Sequence, residues 1–194
     1  MNDEAAATTA AAAVAAAPGF ALFDTAIGAC ALAWGPRGLI GVQLPEESGA
    51  AATRARMRRR FPDLTEAVPP ESAQKAIAAI QALLQGAPDD LSGIELDMSR
   101  VSEFHQRIYA IARRIPPGQT RTYGDIAAEL GDKALSRAVG QAMGHNPFAP
   151  VVPCHRVLAA GNKPGGFSAG GGTLTKLRML DIEGARPNGM ASLF

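Results

Sequence analysis

Cysteine and histidine are scarce in this chain, and so is excess charge: its 194 residues hold 2 Cys, 3 His and a net charge of +1. Two cysteines far apart, Cys30 and Cys154, make no disulfide framework, which fits a reducing, cytoplasmic setting. A zinc site wants about four Cys, His or carboxylate ligands. His105, His145 and His155 all lie in the half away from Cys30, so no metal is expected. Cys30 alternates with apolar neighbours and reads as a small buried strand residue. Long apolar runs are missing too. Beyond the alanine-rich tract that follows Met1-Asn2-Asp3-Glu4, no segment is long enough to span a bilayer, and Ala and Thr make the tract a poor candidate. Its start is acidic where a secretory signal needs a basic one. Residues 1–19 are therefore expected to be a flexible tail, and no membrane partner is expected.

The near-zero net charge hides an asymmetry. Residues 1–95 carry 7 Lys+Arg against 11 Asp+Glu, while residues 96–194 carry 12 against 7. Only the second half has the sign that phosphate contact requires.

A hydrophobic content of 47% supports a real core, and the length suits one large domain or two small ones. Residues 20–98 read as a small α/β unit. Strands are expected over 21–25, 29–34 and 38–44, with turns at Gly28 and Pro36-Arg37-Gly38. Helices follow over 54–61 and 72–84, then a strand over 93–98. The first helix carries Arg54, Arg56, Arg58, Arg59 and Arg60. Its charges surround the turn, so a solvated face is expected rather than a nucleic-acid patch.

Residues 99–194 read as mostly helical. Ser102 caps a helix expected to run to Ile115, with Phe104, Ile108, Ile111 and Ile115 on one face. Thr122 can cap the next, with Asp125 three residues on, and Gly131-Asp132 makes a turn. A helix over 134–143 then takes the place of a recognition helix. Its outer side offers Ser136, Arg137 and Gln141. So few base-reading side chains suit sequence-tolerant docking better than operator recognition.

Behind this motif stands Pro153-Cys154-His155-Arg156-Val157. Cysteine attacks as the thiolate, and a thiol of pKa about 8.5 is mostly protonated near neutrality. An imidazole can take the proton. Neighbours in extended backbone point to opposite sides, so direct contact is not dictated and a bridging water would serve. By itself the dipeptide fits a buried structural cysteine better. The ordered set around it is more specific: Ile115-Pro116-Pro117-Gly118-Gln119-Thr120-Arg121-Thr122-Tyr123-Gly124-Asp125, Ser136-Arg137-Ala138-Val139-Gly140, Asn146-Pro147, the Cys-His run, Gly165-Gly166-Phe167-Ser168, Lys176 and Glu183-Gly184. Over residues 101–185, and more loosely over 20–100, the chain resembles the O6-alkylguanine-DNA alkyltransferases, or methylated-DNA–protein-cysteine methyltransferases.

The resemblance implies a ribonuclease-H-like α/β domain over 20–98 and a mostly α, winged-helix-like helix-turn-helix domain over 99–194. It implies a monomer that needs no cofactor and acts on double-stranded DNA containing O6-alkylguanine, with O4-alkylthymine left open as a second substrate. Cys154 would take the alkyl group irreversibly, once per molecule, from a nucleotide flipped out of the duplex. Glu183 would orient His155, which deprotonates Cys154 through a water. Asn146 would shape the turn before the nucleophile. Arg137 would fill the gap left in the stack, and Tyr123 would help rotate the nucleotide and protonate the departing guanine. Met143, Phe167 and the backbone around Val157 would line the base pocket, Ser168 would face O6, and Ser136 and Gln141 would lie against DNA. Arg156 would brace the site by a salt bridge.

One region departs from the family pattern. Phe167 stands where many relatives have Tyr, and the run Ala169-Gly170-Gly171-Gly172-Thr173 makes the Cys154–Glu183 spacing two residues longer. Three other readings remain open at this point. A non-enzymatic lesion sensor lacks the cysteine that this chain has. A helix-turn-helix regulator would need a richer base-reading surface. A cysteine hydrolase would need an oxyanion hole that nothing here marks.

Overall fold

The computed structural model describes residues 17–187. Most of the tail expected over 1–19, and the end of the chain after 187, lie outside them. An antiparallel sheet of order β1-β2-β3 is formed by β1 (Gly19–Thr25), β2 (Gly28–Gly35) and β3 (Gly38–Gln43). Gly19 already pairs with Trp34, so the sheet begins inside the stretch expected to be tail. Both hairpin turns need positive φ at glycine, 123° at Gly28 and 119° at Gly38.

The strand expected over 93–98 shrinks to a single parallel bridge between Leu39 and Leu96. Leu39 donates to the Glu95 carbonyl at 2.9 Å and accepts from Asp97 N at 2.8 Å. Extension ends there because the Asp97 carboxylate turns back to accept from Ser99 N.

Helix α1 (Ala50–Arg60) starts four residues before the expected boundary and buries Thr53 and Met57. Its arginines are mostly ion-paired on the surface: Arg54 and Arg58 with Glu66, Arg56 with Glu46. Arg60 departs from that expectation by turning inward. It donates to the Val42 carbonyl and Gln43 Oε1, each at 2.9 Å, and to the Pro147 carbonyl at 3.3 Å. Helix α2 (Glu71–Leu83) buries Ala73, Ala76, Ile80 and Leu83, one face of a 3.6-residue period, against the sheet. A fully buried isoleucine such as Ile80 contributes about 1.5–3 kcal/mol.

Helix α3 (Glu103–Ala112) is capped by Ser102, which accepts from His105 N. It stops three residues short of Ile115. Pro116 supplies no N–H for the Ala112 carbonyl and disfavours helical geometry at Ile115. A two-residue strand β4 (Arg121–Thr122) leads into α4 (Tyr123–Glu129) through a full capping box. Asp125 N donates to Thr122 Oγ1 at 3.1 Å, and Thr122 N donates to Asp125 Oδ2 at 2.7 Å. The next helix, expected from 134, opens instead as a 3₁₀ turn over Lys133–Leu135 and continues as α5 (Ser136–Gly144). The chain then passes a 3₁₀ turn at Cys154–Arg156, strand β5 (Val157–Leu158) parallel to β4, and α6 (Gly172–Ile182).

Two cores flank the 146–153 loop. One unites the sheet and α2 with Val151 and Met179. The other gathers α3, α4 and α5 around Phe148, Val152, Cys154 and Val157. Val42 N donates to the Pro147 carbonyl at 2.8 Å, so the sheet edge holds the loop that carries the nucleophile. Among the described residues no helix is long and apolar enough to cross a membrane.

Candidate active site

Cys154 opens the tight turn after Pro153, and its position is set by Asn146. The Asn146 amide donates to the Val152 carbonyl at 2.7 Å, and its Oδ1 accepts from Phe148 N at 2.9 Å. One side chain thus closes the loop from both ends. Cys154 is 6% exposed. Burial pushes its thiol pKa up, against the hydrogen bond from Asn146 and the nearby Lys176 ammonium.

His155 is fully buried, with Nε2 2.8 Å from Glu183 Oε1. The same carboxylate holds Arg156 in a fork, Nε to Oε2 at 2.9 Å and Nη2 to Oε1 at 2.8 Å, and Arg156 Nη1 donates to the Ile115 carbonyl at 2.7 Å. Burial pulls the Glu183 pKa up, but the charges and hydrogen bonds of His155 and Arg156 outweigh it and bring it to about 2. Burial lowers the His155 pKa against the opposing pull of Glu183, so the imidazole rests neutral. A neutral ring donating from Nε2 to Glu183 carries its lone pair on Nδ1. Nδ1 is the buried side-chain atom without a hydrogen-bond partner among the described residues. The residue next in sequence to the thiol therefore carries an unpaired acceptor nitrogen.

Lys176 is the residue whose part sequence reading missed. It is fully buried on α6, its Nζ donates to the Val157 carbonyl at 2.7 Å, and it sits 5.9 Å from the ring centroids of both Tyr123 and Phe167. Burial lowers its pKa to about 8, against attraction to Cys154. A signal was present: Lys176, Met179, Leu180 and Glu183 recur at helical spacing, so the lysine shares the inward face.

A cavity of about 410 Å³ opens over the thiol, lined by Tyr123, Gly140, Met143, Cys154, Phe167 and Ser168, within the usual size for small-molecule sites. Gly165 makes room for the tyrosine, since a Cβ there would lie 3.3 Å from the Tyr123 hydroxyl. Burial and then Cys154 raise the Tyr123 pKa, which keeps the phenol protonated. Val157 does not line this wall; it is buried in the core with its carbonyl taken by Lys176. Arg137 and Gln141 lie exposed on α5, and no hydrogen bond or ion pair engages Arg137 among the described residues. Ser136 is half-buried, its hydroxyl donating to the Lys133 carbonyl. No group of three or more His, Cys, Asp or Glu is placed to hold a metal among the described residues.

Known proteins carry the same arrangement of chain. Residues 103–185 match the family model described as 6-O-methylguanine DNA methyltransferase, DNA binding domain. The methylated-DNA–protein-cysteine methyltransferase of Mycobacterium bovis is 38% identical over 149 residues, 75% of this chain and 88% of the relative. The crystal structure of Mycobacterium tuberculosis OGT in complex with DNA superposes with a TM-score of 0.69 at 32% identity, covering 85% of this chain and 92% of that one. The O6-methylguanine-DNA methyltransferase of Pyrococcus kodakaraensis gives a TM-score of 0.68 at 26% identity, over 86% of this chain and 99% of that one. Similarity to the Mycobacterium bovis protein spans most of both chains, the family model covers the segment around the buried thiol, and on that ground this chain belongs to the methylated-DNA–protein-cysteine methyltransferase family.

Proposed function

We propose that this chain repairs alkylated DNA directly, moving the alkyl group of O6-alkylguanine onto Cys154 in one irreversible displacement. The observation that carries this reading is the buried thiol at the floor of a base-sized cavity, adjacent in sequence to a neutral imidazole whose outer nitrogen Glu183 holds.

Helices α4 and α5, joined through Gly131-Asp132, dock on the duplex as a helix-turn-helix. The exposed Arg137 enters the stack where the damaged nucleotide leaves, offsetting part of an unstacking cost of about a few kcal/mol. The base enters the cavity between Tyr123, Met143 and Phe167, with Ser168 at the rim near O6; Ser136 and Gln141 lie against the DNA. His155 Nδ1 takes the Cys154 proton through a water. The Sγ–alkyl carbon bond then forms as the carbon–O6 bond breaks, its electron pair leaving on the guanine. Tyr123 supplies that guanine with a proton, and the imidazolium and phenolate left behind exchange protons with solvent. Asn146 holds the nucleophile's turn, Lys176 favours the thiolate by its charge, and Glu183 stabilises the imidazolium. No cofactor takes part. The thioether is stable, so each molecule acts once.

Residues 20–98 are read as a ribonuclease-H-like domain, which the three-stranded antiparallel sheet with α1 and α2 supports. Residues 99–194 are read as the winged-helix-like, DNA-binding and alkyl-accepting domain, supported by α3, α4 and α5 around the second core. The protein works as a cytoplasmic monomer. A duplex carrying one O6-methylguanine, titrated with purified protein, tests the function. Restored guanine should plateau at one equivalent per protein; continued turnover, or no restored guanine, overturns the reading.

A further inference from the structure

A second cavity of about 340 Å³ meets Cys154 from the side of the sheet, and its wall includes Gln43, Arg56, Arg60, Asn146 and Phe167. The thiol thus borders two spaces, one with the base-stacking residues and one floored by arginines. Arg60 is the unusual member. Its guanidinium is held in place by the Val42, Gln43 and Pro147 oxygens, all neutral, and it lies 5.2 Å from the Phe61 ring centroid. No carboxylate pairs with it among the described residues, and the charged neighbour that acts on it is Arg56, a second cation. Arg56 has a partner in Glu46 at 3.3 Å; Arg60 does not. A partly desolvated cation without a counter-ion is a ready partner for a ligand's anion.

The displacement geometry says which part of a substrate would arrive there. Attack at the alkyl carbon requires the leaving O6 on the far side of that carbon from sulfur. The rest of the chain leaves that carbon across the S–C–O6 axis, and with the base seated against Tyr123 and Met143 the space left to it beside Cys154 is the second cavity, which shares Phe167 and Ser168 with the first. We infer that the second cavity receives the distal end of longer O6-alkyl chains, and that Arg60 makes it selective for chains ending in a carboxylate. This deepens the alkyl-transfer reading and rests on it. The chemistry is the same displacement: sulfur bonds to the chain's first carbon, the carbon–O6 bond breaks onto guanine, and the product is an S-(carboxyalkyl)cysteine at position 154.

The test compares single-turnover transfer by the full chain from two duplexes, one holding O6-(carboxypropyl)guanine and one its primary amide, O6-(carbamoylpropyl)guanine. The two adducts match in size, and their ends are too far from the reacting carbon to alter its reactivity. The acid should react faster than the amide by about tenfold, the scale of one charge-assisted hydrogen bond. That ratio should fall to about one in Arg60→Gln and persist in Arg60→Lys, by the same charge argument. Because each protein is its own reference, a general weakening of the variant does not affect the ratio. Equal rates, or a faster amide, in the unmodified protein overturn the inference without any variant. A ratio that survives in Arg60→Gln overturns the role of Arg60. O6-methylguanine in the same assay separates the two levels: absence of methyl transfer sinks the alkyl-transfer reading itself, whereas methyl transfer without acid preference sinks only this one.

Discussion

Cys154 rests under opposed influences. Burial holds the proton on sulfur, while Asn146 and the Lys176 ammonium favour its loss. The pH dependence of transfer follows from the neighbours. His155 is lowered by burial, so it stays neutral and able to accept a proton below the usual imidazole range, and the acid limb of the rate should lie below that range. Lys176, at about 8, loses its charge as pH rises through that value, just as thiolate would otherwise increase. Single-turnover rates should bend near pH 8 in the unmodified protein and lack that bend in Lys176→Met, which should be slower at lower pH. Identical profile shapes would remove the electrostatic role given to Lys176.

Glu183 makes a stability prediction with a definite sign. Its pKa falls from 4.5 to about 2 on folding, so its contribution is fully present above 4.5 and fades as pH drops toward 2. Glu183→Gln leaves Arg156 and His155 buried without their carboxylate and should cost about 3–5 kcal/mol at neutral pH. Urea unfolding should show that gap narrowing on acidification; a constant gap would mean that the carboxylate's charge is not what stabilises the site. These residues were legible because contiguous motifs name them. Arg60 was not. Within a run of five arginines nothing marks the one that turns inward, because its partners, Val42, Gln43 and Pro147, are 18, 17 and 87 residues away.

Helix starts marked by a side-chain cap were read accurately, whereas the start of α1, the end of α3 and the last strand were not. Thr122 and Asp125 form the expected capping box, because that signal lies within four consecutive residues. Thr122→Ala should cost about 1 kcal/mol in thermal unfolding, and no loss would mean that the box adds nothing beyond solvent. The 93–98 segment failed as a strand since its extent depends on a distant partner, and only Leu39 meets it. The departing loop after Phe167 has its own constraint. A Cβ on Gly170 would stand 2.4 Å from the Pro45 carbonyl, so the loop is pressed against the connection leaving β3. Gly170→Ala should therefore slow transfer by more than its loss of stability explains, as the shift displaces Phe167 and Ser168 from the cavity rim. Unchanged transfer at reduced stability would confine Gly170 to packing.

At the scale of the molecule, the site is assembled by both halves. The loop before Cys154 receives hydrogen bonds from Val42 and Arg60, and Val151 and Met179 pack in the core of the sheet. The order of motifs pointed to the family, whereas this interlock depends on contacts that no local pattern encodes. The central claim remains a covalent one at a single sulfur. Intact mass measured after incubation with duplex containing one O6-methylguanine, followed by peptide mapping, tests it most directly. One added methyl group, located on Cys154 and absent in Cys154→Ala, is the predicted result; lesion binding with no gain in mass, or a methyl group on any other residue, would contradict the account.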